Sequence, residues 1–532
     1  MISVTPSGSI YLCKAPLIND YKNQLTFSNA ASQLNYFNTR INFSFDNYTY
    51  IKKDNVIKVG KNIDDIIGCN YLFYRNTGFS TKYYYCFITN MEYVNENCTA
   101  ITIETDCFQT YQFDIRYQPC FVEREHVNDD TVGANLVDEN LNFGDMISDR
   151  YDVMAEVGAQ SSYWLVIAGN YDPHDQEKWA GIGLYGNYPQ GNVWFAWEIR
   201  RNTPSDINGP SQFVYDCCKA GRDGFIQAVF ALPLQALSSN NIDQTTHRVL
   251  DANILNVDKT YSKIAMREFS DYDNVKNNKL YTYPYSFLRV TNNAGTYNDY
   301  KIEDFVEYDE NDNITDNLVF NVIGTTCEGY SCKLRPKNYK GIMYNEDESI
   351  GLGKYPTLSW SSDAYTNWLT QNDVNIGMSV LTGATAGTMN FLSGDLAGSA
   401  TSVANTIGNV IGAKYEASLL PNRAQGNANA GDVNFAFNVQ RFKIMHMRPK
   451  REFLKILDDY FSSYGYRINQ VKLPNITGRT NWNYVKTIDC NFSGNNIPQQ
   501  NLNIIRTMFN NGVTLWHNPN TIYDYSQSNS II

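Results

Sequence analysis

The chain has 532 residues, 43% of them hydrophobic and 18% charged, with 55 Asp and Glu against 43 Lys and Arg and a formal net charge of −12. That length supports two to four domains with cores of their own, and the composition excludes a disordered chain. The acidic balance excludes a protein that grips nucleic acid by neutralising phosphates, but it is compatible with a conduit along which DNA slides without sticking.

Tyrosine is the strongest compositional signal, with 39 copies, and aromatics reach 14% against 16 prolines. Such rings favour pleated surfaces and extended protein contacts, so the expected class is mainly β with some α. The cysteines are odd in number, 11, and contain no CxxC pair. Reduced thiols in a chain made in a cytoplasm fit this better than a disulfide scaffold. The N-terminus, MISVTPSGSIYLCKAPL, has no basic segment leading into an apolar one, so no secretory signal is expected.

From residue 1 to about 125 short alternating or aromatic runs are broken by Asn, Asp and Gly, as in antiparallel hairpins. The runs KYYYCFITNMEYV (82–94) and TAITIETDCFQTYQFDI (99–115) flank Asn95, Glu96, Asn97 and Cys98, which predicts a hairpin with a short loop. Ile101, Ile103 and Thr105 alternate with Thr102 and Glu104, one face buried and one wet. Residues 126–345 contain the apolar runs YWLVIAG (163–169), GNVWFAWEI (191–199) and GFIQAVFAL (224–232) between polar linkers, and read as a middle insertion of β or α/β type.

The segment 346–434 is of different character. Residues 374–413 hold seven glycines and one charged residue, Asp395, with 21 uncharged residues before it and 18 after. As helices these halves would each span roughly 27–32 Å, about the thickness of a bilayer. Ser379, Gly383 and Gly387, then Ala400, Ala404, Gly408 and Gly412, recur at four-residue steps that allow close helix approach. The predicted lipid-facing set is Ile376, Met378, Val380, Leu381, Met389, Phe391, Leu392, Leu396, Val403, Ile407, Val410 and Ile411. Asp395 at mid-membrane would cost about 2.5–3.5 kcal/mol, so insertion is expected to be conditional, with Asp395 near a hairpin tip. A Gly/Ala-rich linker and a buried helical pair are the competing readings of the same stretch.

The last hundred residues return to globular patterning. In KREFLKILDDYF (450–461) Phe453, Leu454, Ile456, Leu457, Tyr460 and Phe461 follow the spacing of an amphipathic helix, with Gly465 as its stop. Strands are expected at 466–471 and 482–492, a second helix near 499–510 and a last strand at 513–517.

Chemistry leaves little trace. The five histidines, 126, 174, 247, 446 and 517, show no zinc spacing, and His174 beside Asp172 and Asp175 reads as a turn. In DENDNITDN (309–317) Ile314 stands where an EF-hand needs glycine and Phe320 where it needs glutamate, so a solvated acidic loop is expected. No catalytic residues, metal or cofactor are predicted.

Several blocks, NDYKN (19–23), the 82–115 hairpin leading into FVEREHV (121–127), FSSYGYRINQVKLPN (461–475), WNYVKTIDCNFSG (482–494) and IRTMFNNGVTLWH (505–517), resemble in order and spacing the tail knob, or distal tail-tube, proteins of small short-tailed podophages of the Picovirinae type. The resemblance covers about 200 of the 532 residues and fades between 128 and 345. It implies a multidomain α+β chain: residues 1–125 and 435–532 would form β-rich tube domains closing into a ring across subunits, 126–345 the insertion, and 346–434 the part carrying the hydrophobic loop. It also implies a homohexamer in the virion tail, contacting collar and tail-tip proteins, with genomic double-stranded DNA passing through without specific binding. The loop would plug the channel and then enter the host cytoplasmic membrane. Two other classes compete: an adsorption protein whose Trp179, Trp194 and Trp197 stack on cell-wall sugars, and a wall-degrading enzyme whose carboxylate pair leaves no sequence trace.

Overall fold

A computed structural model describes residues 8–48, 55–77, 80–157, 161–169, 183–185, 188–190, 193–219, 226–251, 255–292, 294–324, 332–340, 349–352, 357–358, 440–494 and 496–532. Strands predominate, and the chain divides into two units, each assembled from separated stretches. The first takes Met1–Asp145, Asn274–Thr282 and Pro449–Ile532; the second takes Met146–Asp273 and Tyr283–Arg448.

In the first unit a six-stranded sheet runs in the order Ile41–Tyr48, Gly8–Cys13, Tyr71–Asn76, Tyr84–Asn95, Cys98–Thr105, Val56–Val59. Its longest hairpin turns within two residues, because Asn95 pairs with Cys98 while the Asn97 N–H donates to Asn95 Oδ1 at 3.0 Å. Ile101 and Ile103 of that hairpin are buried, packed with Leu12, Leu72 and Cys86, while Cys13, Phe37, Tyr71, Phe73 and Phe87 form the core on the sheet's other face with Trp482 and Trp516.

A five-stranded sheet joins the two ends of the chain. Its order is Asn23–Leu25, Val513–Trp516, Trp482–Ile488, Cys120–Glu125, Tyr466–Lys472, and the first two strands pair in parallel. Trp516 Nε1 donates to Asn23 Oδ1 at 3.0 Å across 493 positions of sequence. The helix Arg451–Tyr464 buries Leu454, Leu457, Asp458 and Phe461, leaving Ile456 exposed. It stops at Gly465, where φ is +65 and an added Cβ would stand 2.1 Å from the Glu125 carbonyl oxygen, so only glycine satisfies both backbone and packing.

Among its described residues the second unit has three four-stranded sheets. The runs read as apolar in the sequence form one of them, Val193–Ile199, Tyr163–Gly169, Ile226–Pro233 and Thr357–Leu358, and the residues of Tyr163–Gly169 are buried on both faces. The others are Met146–Val157, Gln440–Pro449, Phe287–Thr291, Tyr297–Tyr300 and Leu255–Ser262, Asn317–Gly324, Cys332–Pro336, Ile350–Gly351. All three sheets contribute to one core that includes Val166, Phe230, Leu288, Phe320, Leu334 and Phe442.

Candidate functional site

The predicted membrane loop 374–413, with Ile376, Gly383, Gly387, Asp395, Ile411 and the rest of its set, lies outside the described residues, as do Trp179 and His174. The described residues instead show how the first unit is held together and what surface it presents.

Its interior contains an ion cluster that sequence reading misses. Glu139 is buried and receives both the Arg124 guanidinium and the Lys279 ammonium, together with the Arg467 N–H at 2.9 Å. Lys279 Nζ also donates to the Val137 carbonyl at 2.7 Å, and Arg124 Nη1 to the Gly465 carbonyl at 2.8 Å. Burial holds the Lys279 ammonium below its usual range, opposed by Glu139. Asp458, on the helix face expected to be apolar, accepts from the Lys276 N–H at 3.1 Å and from Asn277 Nδ2 at 2.8 Å. Through these bonds residues 274–282 are stitched to the helix Arg451–Tyr464, and the buried charges are compensated by partners.

The outer face of the five-stranded sheet is apolar where three strands lie side by side. Phe121 pairs with Val471 on one side and with Ile488 on the other, so the three side chains form a cross-strand row. Val471 is 73% exposed and Ile488 48%, with Leu473 beyond them at 54%. The Glu123–Lys486 ion pair lies next to the row. Phe121, between Val471 and Ile488, is half-buried, and an apolar row of this kind rimmed by charge is compatible with contact to another macromolecule. Its signal in the sequence was Phe121, a large apolar residue alternating with Cys120 and Val122.

Side chains of reactive type also meet in the second unit. Ser286 Oγ lies 2.8 Å from His446 Nε2, and His446 Nδ1 lies 4.0 Å from Asp149 Oδ2, an arrangement like a Ser-His-Asp triad. All three side chains are buried, and Asp149 is bound by Arg448 Nε and Ser270 Oγ, each at 2.6 Å. No substrate reaches Ser286 in this conformation, and the trio reads as a packed polar cluster. Trp194 and Trp197 are buried at 7% and 6% exposure, which removes them as a sugar-stacking platform. The Asp309 carboxylate is occupied by the Asn311 and Asn313 N–H groups, both at 2.8 Å, at the tip of a small hairpin. Among the described residues no group of three or more Cys, His, Asp or Glu side chains could hold a metal, and no helix is long and apolar enough to cross a membrane.

Comparison with known proteins places this multidomain, mainly β chain among the structural components of phage tails. The model of the family described as Bacillus phage phi29 tail knob protein gp9, C-terminal domain, matches residues 241–530, and that of the caudoviral major tail protein N-terminus matches residues 7–116. The chain belongs to the phi29 gp9 tail knob family. It is similar to the tail knob protein gp9 of Bacillus phage B103, 26% identical with 97% of each chain covered, and to that of Bacillus phage phi29, 25% identical with 98% of each covered. Its fold is similar to that of the bacteriophage C1 tail knob protein gp12, with a TM-score of 0.66 at 14% identity, covering 99% of this chain and 100% of the other.

Proposed function

We propose that six copies of this tail knob protein close a ring that conducts the genome, and that the loop 374–413 plugs the channel before it enters the host cytoplasmic membrane. Duplex DNA is too wide for one subunit's hairpin to enclose, so a conduit needs several copies in closed symmetry. The unit built from both chain ends serves as the tube module, and the row of Phe121, Val471 and Ile488 supplies apolar contact to a neighbouring copy or to the collar and tail-tip proteins. The net charge of −12 keeps passing DNA from adhering.

The observation that carries the membrane part is the loop's composition, one charged residue, Asp395, within residues 374–413. Leakage of dye from liposomes of bacterial lipid tests it. The full chain should release dye and a Δ374–413 variant should not, while both give the same oligomer on sizing. Equal leakage from the two would defeat the membrane role and leave the ring untouched.

A further inference from the structure

We propose that Cys120 and Cys490 are a latent disulfide, two thiols that the fold of the first unit brings together, reduced when the chain is made and joined once the tail stands in an oxidising medium. Cys120 opens the strand Cys120–Glu125 and, like Val122, is buried, while Phe121 between them points the other way. Val122 pairs with Thr487 of the adjacent strand, and Thr487 Oγ1 donates to Asn510 Oδ1 at 2.9 Å, so Cys120 lies on the face turned toward the helix Gln499–Asn511.

Regular alternation would point Cys490 away from that face. Asp489 prevents this: its φ of +52 bends the chain just past the strand Trp482–Ile488. The Cys490 N–H then donates to the same Asn510 Oδ1, at 3.1 Å, and its side chain returns to the interior at 5% exposure. There the thiol lies against Thr487 and against the Cys120 thiol. Pairing resumes at Phe492 with Tyr117, and the Gln118 N–H donates to the Asn491 carbonyl at 3.2 Å, so Cys490 is pinned from both sides. Cys120 and Cys490 are free thiols in this structure.

A low-molecular-weight disulfide such as oxidised glutathione completes the chemistry. One protein thiolate attacks it, forming a mixed disulfide and releasing one glutathione. The second thiolate then attacks the protein sulfur, expelling the other glutathione and leaving the Cys120–Cys490 bond, with two thiol protons released to water or taken up by the glutathione thiolates. Burial pushes the Cys490 thiol up to about 12, so the Cys490 thiolate is scarce and, with both thiols buried, the reaction proceeds slowly, from transient openings. Such kinetics suit a bond that should not form during assembly. Once formed, it links the N-terminal and C-terminal contributions to one sheet, and long closed loops give the largest constraint on the unfolded chain.

The test uses the full chain, purified in reductant, exchanged into buffer with oxidised glutathione, then denatured, alkylated and mapped without reduction. The expected result is a peptide pair joined through Cys120 and Cys490, a Tm raised by roughly 5 °C or more, and reversal of both by dithiothreitol. C120S should lose the joined peptide and the shift, while C217S keeps them. Complete alkylation of Cys120 and Cys490 after prolonged oxidation overturns the proposal, as does a bond from Cys490 to any other cysteine. The mapping is read on the unmodified chain, so it decides the matter even where C120S does not fold.

Discussion

Three buried titratable side chains make the stability of the first unit depend on pH. The His126 ring accepts from the Tyr484 N–H through Nδ1 at 2.8 Å and meets the Ser462 carbonyl through Nε2 at 3.1 Å, and burial holds its pKa down to about 3. His517 lies between Thr26 Oγ1 and Asn483 Oδ1, and burial lowers it to about 4. Both are folded as neutral rings, so the unfolded chain binds more protons below about pH 6.5, and stability falls as pH drops from there toward 4. Asp106 has the opposite sign. Burial raises it to about 7 although it accepts from the Tyr71 hydroxyl and the Gln109 N–H, both at 3.0 Å, so its folded form keeps a proton that the unfolded form has lost. Its contribution is present below about pH 4 and disappears as pH rises through 7. Thermal melts from pH 4 to 9 should show D106N gaining on the wild type progressively between pH 4 and 8, and parallel curves would reject this assignment. At Glu139, alanine leaves two buried cations without their anion, and urea unfolding should show a loss of about 3–5 kcal/mol. A loss under 1 kcal/mol would mean that the cluster is neutral to stability.

Among the elements, the helix Arg451–Tyr464 depends on its stop. G465A would place a methyl against the Glu125 carbonyl and force a positive φ on alanine, so denaturation should show a loss of about 2–4 kcal/mol, with the last turn of Arg451–Tyr464 fraying first by hydrogen exchange. The same helix shows how much was legible. Its span and its glycine stop follow from period and composition, and so do the long hairpin, the strands Tyr163–Gly169 and Val193–Ile199 and the helix Gln499–Asn511, because each has a regular apolar pattern within one continuous stretch. Its buried face followed only in part: Leu454, Leu457 and Phe461 are buried as expected, but Ile456 is exposed and Asp458 buried, since the partners of Asp458, Lys276 and Asn277, lie about 180 positions away. The cluster on Glu139 was illegible for the same reason, and of the apolar row only Phe121 showed in the local alternation, since its pairing with Val471 and Ile488 is set by strands distant in sequence. The loop 374–413 was conspicuous in composition alone, and it lies outside the described residues.

At the scale of the molecule, chain order and spatial order differ. The second strand, Asn23–Leu25, pairs with the last, Val513–Trp516, and Cys120–Glu125 lies between two strands from beyond residue 465. A unit closed in this way brings both ends of the chain into one sheet, and the chain aligns with the B103 and phi29 tail knob proteins over nearly its full length at about a quarter identity. Its outer row of Phe121, Val471 and Ile488 makes the ring testable at single sites: V471K with I488K should hold the monomer's melting temperature within about 2 °C while weakening assembly at least tenfold. Unchanged assembly would place the subunit contact elsewhere.

Native mass spectrometry of the full chain, across a range of concentrations, bears most directly on the claim that this protein is a ring-forming conduit. The account predicts a discrete species of six chains; a monomer persisting at every concentration, in the presence of its tail partners as well as alone, would contradict it.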